Sequence, residues 1–376
     1  MHYLAITTPT LQRSLTVLVA ILITVISVRL ADKIRSRSYT FRWYKVSGRI
    51  QLKIVWLVAG TLVAIIILLG TGLIVGDYPI PASRAIATAL WDRNGEYDFI
   101  INSLRFPRIV VAILAGMCFA SSGLIFQSLI NNPLVSPDII GINTGAAVLA
   151  VAILAAGGNI GYLPWAAFLG ALLTAGLIYL LSWKRGVSAT RLVLVGIGVN
   201  SLLGAVITFI TVKYPIERVI AAARWQAGTL FGASWSDVRT LLIGLSVLLP
   251  SAFFLTNRLR ILQLGDETAI TVGSRIERDR LALLAVASLL AALAVSVVGP
   301  LGFVALIVPQ AARLLAGSIT GGVLIFTALL GGFFLLGADL IAQRLFAPVM
   351  LPAGVITATF GGPYFLYLLA RYNRAN

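Results

Sequence analysis

Residues 281–298 read Leu281-Ala-Leu-Leu-Ala-Val-Ala-Ser-Leu-Leu-Ala-Ala-Leu-Ala-Val-Ser-Val-Val298, without one charged side chain. A bilayer-crossing helix needs about 20 mainly apolar residues, and this run sits at that threshold. A second charge-free run covers Leu57 to Val75, and comparable stretches recur along the chain. They define eleven candidate spans: 15–31, 52–75, 108–130, 142–157, 163–183, 192–212, 239–256, 281–298, 300–316, 322–341 and 352–370. No alternation of the outer-membrane barrel kind competes with them. The reading is an all-α polytopic membrane protein.

Composition agrees. Of 376 residues, 59% are hydrophobic and 11% charged, with mean hydropathy +0.98. A soluble domain carries about 25% charged residues, so this chain lacks the polar surface to face water all round. Soluble enzymes, nucleic-acid binders and disordered tails are excluded. The balance of 29 Lys+Arg against 13 Asp+Glu then needs another explanation. Basic residues gather between 29 and 53 and in the stretches 183–191, 257–280 and 371–376. Alternating spans from 52 onward put all four stretches on one side, which the positive-inside rule makes cytoplasmic. The opposite loop at 76–108 is balanced, with Arg84, Arg93, Arg105 and Arg108 against Asp77, Asp92, Glu96 and Asp98.

Residues 1–51 form an N-terminal extension to the domain at 52–376. In it the charge follows the apolar run 15–31 instead of preceding it, which favours an extra helix over a cleaved signal.

Missing patterns narrow the chemistry. None of the five lysines follows a glycine, so no Gly-x-x-x-x-Gly-Lys-[Ser/Thr] loop exists to cradle nucleotide phosphates. One cysteine (Cys118) and one histidine (His2) exclude a multi-His or multi-Cys metal site and a serine–histidine arrangement. Asp339 is the acid well inside a span. Ion-coupled transporters usually place several ionisable groups there, so energy is expected from a partner.

Four motifs carry the functional reading. Leu-Arg-Phe-Pro-Arg (104–108) sets Arg105 and Arg108 at an outer helix end, against the orientation bias, with Pro107 suited to a first turn. Snorkelling to lipid headgroups is the plain alternative. Asn-Pro-Leu-Val-Ser-Pro-Asp (132–138) joins two spans through two prolines, and is either a plain turn or part of a gate. In the loop 257–280, Gly265 and Gly273 bracket a short stretch that opens with Asp266 and Glu267, as a helix dipole prefers. Its Ala269, Ile270 and Val272 suggest docking against a partner, or a helix resting on the bilayer. Finally, Gly299-Pro-Leu-Gly-Phe-Val-Ala-Leu-Ile-Val-Pro309 breaks a helix at membrane depth, where such backbone must be buried in protein or line a cavity.

Taken in order, these pieces resemble the FecCD family, permease subunits of type II ABC importers for iron–siderophores, haem and cobalamin. The resemblance covers roughly 52–372. It is supported by Gly-Ile-Asn-Thr-Gly-Ala (141–146), Arg191-Leu-Val-Leu-Val-Gly-Ile-Gly198, the region from Arg224-Trp225 to Trp235, and Leu-Pro-Ala-Gly-Val-Ile-Thr-Ala (351–358). It implies about ten transmembrane helices per subunit, a second permease subunit, two ATPase subunits that bind ATP-Mg, and a periplasmic or lipid-anchored substrate-binding protein. The chain itself would be a non-catalytic permease of the bacterial cytoplasmic membrane, without a cofactor of its own. Arg105 and Arg108 would meet acidic side chains of the binding protein. Gly265, Asp266, Glu267, Thr268, Ala269 and Gly273 would couple to the ATPase. Asn132, Leu134, Ala189 and Thr190 would lie at the cytoplasmic gate, and Gly299, Pro300, Gly302, Pro309 and Gln310 along the path.

Two departures refine the resemblance. Gln310 stands where members often carry histidine. A third docking arginine of cobalamin-type permeases falls at Gln343, with Arg344 adjacent and rotated by about 100°. Cobalamin is thereby disfavoured, and the wording at 138–144 and 339–346 is more like catecholate-siderophore permeases, which usually pair with a non-identical partner. The rival class is an ion-coupled secondary transporter centred on Asp339.

Overall fold

The computed structural model describes residues 38–43, 46–74, 76, 78, 80–91, 95–184, 186–345 and 350–375. The candidate span at 15–31 lies outside the described residues, as does most of the 1–51 extension. A two-stranded antiparallel hairpin comes first: β1 (Ser38–Trp43) pairs with β2 (Val46–Gln51), Ser38 opposite Gln51. Hydrophobic length and charge placement predict no strand there. Tyr39, Thr40, Phe41, Trp43, Val46 and Ile50 are nevertheless the aromatic and β-branched types that favour one.

The other described elements are helical. They are α1 (Leu52–Ile74), α2 (Ala82–Leu90), α3 (Phe106–Leu129), α4 (Pro137–Ile140), α5 (Ile142–Ala156), α6 (Leu163–Ser182) and α7 (Ala189–Lys213). There follow α8 (Ile216–Gln226), α9 (Trp235–Leu262), α10 (Asp266–Thr271), α11 (Ile276–Val298), α12 (Val304–Ala316), α13 (Gly321–Ala342) and α14 (Ala353–Ala375). Each candidate span from residue 52 onward has its helix. Among the described residues, eight helical runs are long and apolar enough to cross a bilayer, while α5 and α12 are shorter. At about 1.5 Å per residue, those two fall short of a hydrocarbon core roughly 30 Å thick. Both follow interruptions, Gly141 before α5 and the 299–303 break before α12.

Local signals place several helix starts. Ser188 Oγ accepts the Arg191 N–H at the head of α7, and Thr320 Oγ1 accepts that of Val323 at the head of α13. Ser234 and Asp237 form a reciprocal capping box before α9. The run containing α3 begins at Phe99, earlier than expected, because Phe99–Arg105 winds as a π-helix. A period tuned to 3.6 residues does not detect that winding.

Helix α3 is the axis of the molecule, mostly buried and packed against α9, α11, α12 and, most extensively, α13. Helix α7 is the opposite case, with most of its surface exposed. The α3–α13 contact depends on missing side chains. A Cβ on Gly116 would lie 2.3 Å from the Gly331 carbonyl oxygen, and one on Gly331 would lie 2.2 Å from that of Gly116. Without a hydrophobic drive between helices in lipid, such close approach is what holds them together.

Gly116→Ala should therefore lower stability by about 3 kcal/mol or more, since neither backbone can yield cheaply. Gly70→Ala, on α1 with nothing within 4 Å, should be neutral or mildly stabilising. Thermal unfolding of the two purified variants checks the contrast.

Candidate functional site

The candidate functional residues fall into three groups along the bundle. The first lines a cavity of about 490 Å³ at the end opposite the basic loops. Arg105, Arg108 and Arg344 all reach it, together with Gln343 and Tyr78. The π-helical turn aims Arg105 at the end of α1, where it donates to the carbonyls of Leu73 (2.6 Å), Ile74 (3.2 Å) and Tyr78 (2.7 Å). A cation there satisfies orphan carbonyls and complements the helix dipole. Gly76 permits it, because a Cβ would lie 1.7 Å from Arg105 Nη2.

Arg108 points elsewhere. Its Nε and Nη2 donate to Asp339 Oδ2 and Oδ1 at 2.9 and 2.8 Å, and the two side chains are only 13% and 1% exposed. Gln343 Nε2 adds a third hydrogen bond to Asp339, at 2.8 Å. Neither Arg105 nor Arg108 is a headgroup snorkeller, and they do not share one exposed face. The acid on which an ion-coupled reading relies is held by a bidentate guanidinium. Charge-assisted fork–fork pairing of this kind is strong.

A second group surrounds the helix break. Pro300 and Gly302 line a cavity of about 560 Å³ with Gln226, Gly354 and Thr359, so the irregular backbone does border open space. Gly299 ends α11 in close contact with α8, where a Cβ would lie 2.5 Å from the Trp225 carbonyl oxygen. Thr229 N–H donates to the Val298 carbonyl at 2.9 Å, and Phe303 takes a left-handed φ of 69°. The Asp138 carboxylate lies against Asn143 and the backbone amide of Phe303, bringing the 132–138 connector to the break. Pro309 is buried within α12 and has no N–H for the Ala305 carbonyl one turn back. Gln127 of α3 supplies the donor: its Nε2 reaches the Ala305 oxygen at 3.3 Å and that of Leu306 at 2.9 Å. Its Oε1 accepts from Arg313, which also donates to Gln310 at 2.9 Å. Gln127 and Arg313 were missed in the sequence; a polar pair inside two apolar runs was the available signal.

The third group lies at the basic end. Gly265 (φ 96°) and Gly273 (φ 82°) bracket α10 as expected, since both positions need left-handed backbone. Asp266, Glu267, Thr268 and Ile270 face outward, as does Val272 just beyond the helix, whereas Ala269 is fully buried in its own chain. Ala269 thus anchors α10 and leaves the outward face to the others. Asp266 pairs with Arg280 at 2.9 Å, and Arg280 Nη1 donates to the Val187 carbonyl at 2.6 Å. Glu277 accepts from Val187 N–H, closing a loop between this region and the turn before Ala189 and Thr190. Asn132 Oδ1 accepts the Leu134 N–H at 2.9 Å. Among the described residues no hydrogen bond joins Asn132 or Leu134 to Ala189 or Thr190.

The profile of the FecCD transport family matches residues 62–371. The ferric enterobactin transport system permease protein FepG of Escherichia coli (strain K12) is 37% identical over 330 residues, covering 88% of this chain and 98% of that protein. The cobalamin import system permease protein BtuC of Halobacterium salinarum is 42% identical over 277 residues, covering 72% and 73%. A solved inward-facing ABC transporter of metal-chelate type superposes with a TM-score of 0.76 at 25% identity, over 84% of this chain and 99% of that one.

The Arg108–Asp339 pair carries a measurable consequence. Arg108→Met or Asp339→Leu alone should cost about 3–5 kcal/mol by leaving a buried charge unpaired. The double variant Arg108→Met with Asp339→Leu should recover most of that loss, as a double-mutant cycle on thermal unfolding would read.

Proposed function

The chain belongs to the FecCD transport family, and from that premise we propose that it is the membrane-spanning permease of an ATP-driven importer for ferric siderophores. The observation that carries the proposal is the outward face of α10. Asp266, Glu267, Ile270 and Val272 stay uncovered by their own chain, yet Asp266 is tied through Arg280 to the turn that opens α7. A short helix so placed is a handle for an external motor, and the sequence holds no phosphate-binding loop of its own. ATP hydrolysis belongs to two ATPase subunits on the basic, cytoplasmic face of the inner membrane.

At the opposite face, the 490 Å³ cavity with Arg105, Arg108 and Arg344 in its wall suits acidic side chains of a substrate-binding protein. Arg108 is buttressed there by Asp339, and Arg105 by the end of α1. Cargo then passes between this subunit and a second permease, a non-identical one in our reading, along the cavity beside Pro300 and Gly302. Iron travels wrapped in its chelator, in keeping with a sequence that has a single histidine and a single cysteine. Rearrangement of the 264–273 segment passes through Arg280 to Ala189 and Thr190 at the inner gate.

Cells lacking this subunit should lose uptake of radiolabelled ferric siderophores while retaining haem and cobalamin uptake. Loss of cobalamin uptake alone would assign the chain to that cargo instead. In the reconstituted importer, Glu267→Lys should cut cargo-stimulated ATP hydrolysis roughly tenfold, by opposing a charge at the docking surface. Undiminished coupling would remove α10 from that surface.

A further inference from the structure

A cleft of about 660 Å³ opens at the basic end of the bundle, between the last turns of α9 and the first turns of α11. One wall is apolar: Phe254, Leu255 and Ala282. The other holds Arg258, Arg275 and Arg278. Asp279 also borders it, but its carboxylate is already taken. Oδ1 accepts from Arg258 at 2.7 Å, and Oδ2 accepts from the Ser274 hydroxyl at 2.7 Å. Three guanidinium groups against one carboxylate leave two positive charges at the cleft. Arg275 and Arg278 are exposed and have no carboxylate partner among the described residues.

The two walls lie at different depths. Phe254 is one helical turn farther into α9 than Arg258, about 6 Å along the axis. It is 76% exposed, and an aromatic ring so placed on a membrane-spanning helix faces acyl chains. Arg275 and Arg278 stand at the start of α11, where the chain leaves the hydrocarbon. Positive charge above an apolar wall, at the cytoplasmic boundary, is the shape of an amphiphile with an anionic head. Basic pockets between membrane helices recognise headgroups in this way.

We propose that this cleft holds the phosphate headgroup of an anionic phospholipid, its acyl chain lying along Phe254, Leu255 and Ala282. A phosphocholine head brings its own cation and gains little from two spare arginines; a phosphatidylglycerol head does not. The site needs no assumption about cargo or partner, so it stands or falls apart from the transport reading. Its place is consequential, because Gly273 and Arg275 connect α10 to α11. A lipid seated there fixes the base of the outward handle.

The test uses the full chain, purified in detergent and stripped of lipid. Phosphatidylglycerol should raise the Tm by about 3 °C relative to phosphatidylcholine with the same acyl chains. The double variant Arg275→Gln with Arg278→Gln should lose that difference, and Arg260→Gln, on α9 but outside the cleft, should keep it. Equal stabilisation by both lipids, or a difference that survives in the double variant, overturns the proposal. If inorganic phosphate or glycerol 3-phosphate reproduces the gain, the cleft is a site for soluble phosphate and the lipid assignment fails. Native mass spectrometry of the unaltered chain reads the same question without a variant. One retained phosphatidylglycerol, under conditions that release phosphatidylcholine, is expected; retention of both or of neither overturns the assignment.

Discussion

Within hydrocarbon no water is present to bond a peptide group, so every break in a helix must be repaired by protein. Three repairs determine how this bundle is assembled. Gln127 supplies the donor that Pro309 cannot, and so joins the middle of α12 to α3. Thr229 donates to the Val298 carbonyl where α11 stops, and Gly354 donates to Gly228 close by. Arg105 closes the end of α1 from a residue 32 positions away in sequence. Each repair is also a tertiary contact.

Charge at depth follows the same logic with larger stakes. The Arg108–Asp339 pair stitches α3 to α13 next to contacts made by Gly116 and Gly331. Small residues bring the helices close, and the ion pair fixes their register by accepting only one alignment. Arg313 takes a different route, sharing its donors between two glutamine oxygens. Gln310 serves here as an acceptor.

Helix number was legible because hydrophobic length is a one-dimensional property. The ten runs from residue 52 onward, the glycine-bracketed α10 and the break at 299–309 could all be read from local spacing. Other features could not. Arg105 and Arg108 were identified as residues in need of a reason, but their partners lie 27 or more positions away, and no local pattern encodes that. The π-helical start at Phe99 and the hairpin at 38–51 lack the period that was sought. Ala269 looked outward by composition, yet a methyl group is small enough to be buried by the chain that carries it.

Helix α9 has 28 residues, with Pro250 twelve positions before its end at Leu262. At about 1.5 Å per residue, the helix is some 42 Å long and overshoots the hydrocarbon by about 12 Å. The part beyond Pro250 is a lever of about 18 Å. Because the proline removes one rung of the ladder, the lever has a built-in flexure. A swing of only about 20° there would carry its tip, and α10 with it, through roughly 6 Å. A stroke of that size has to repack Ala252, Thr256, Leu259 and Leu262, the buried face of the lever itself.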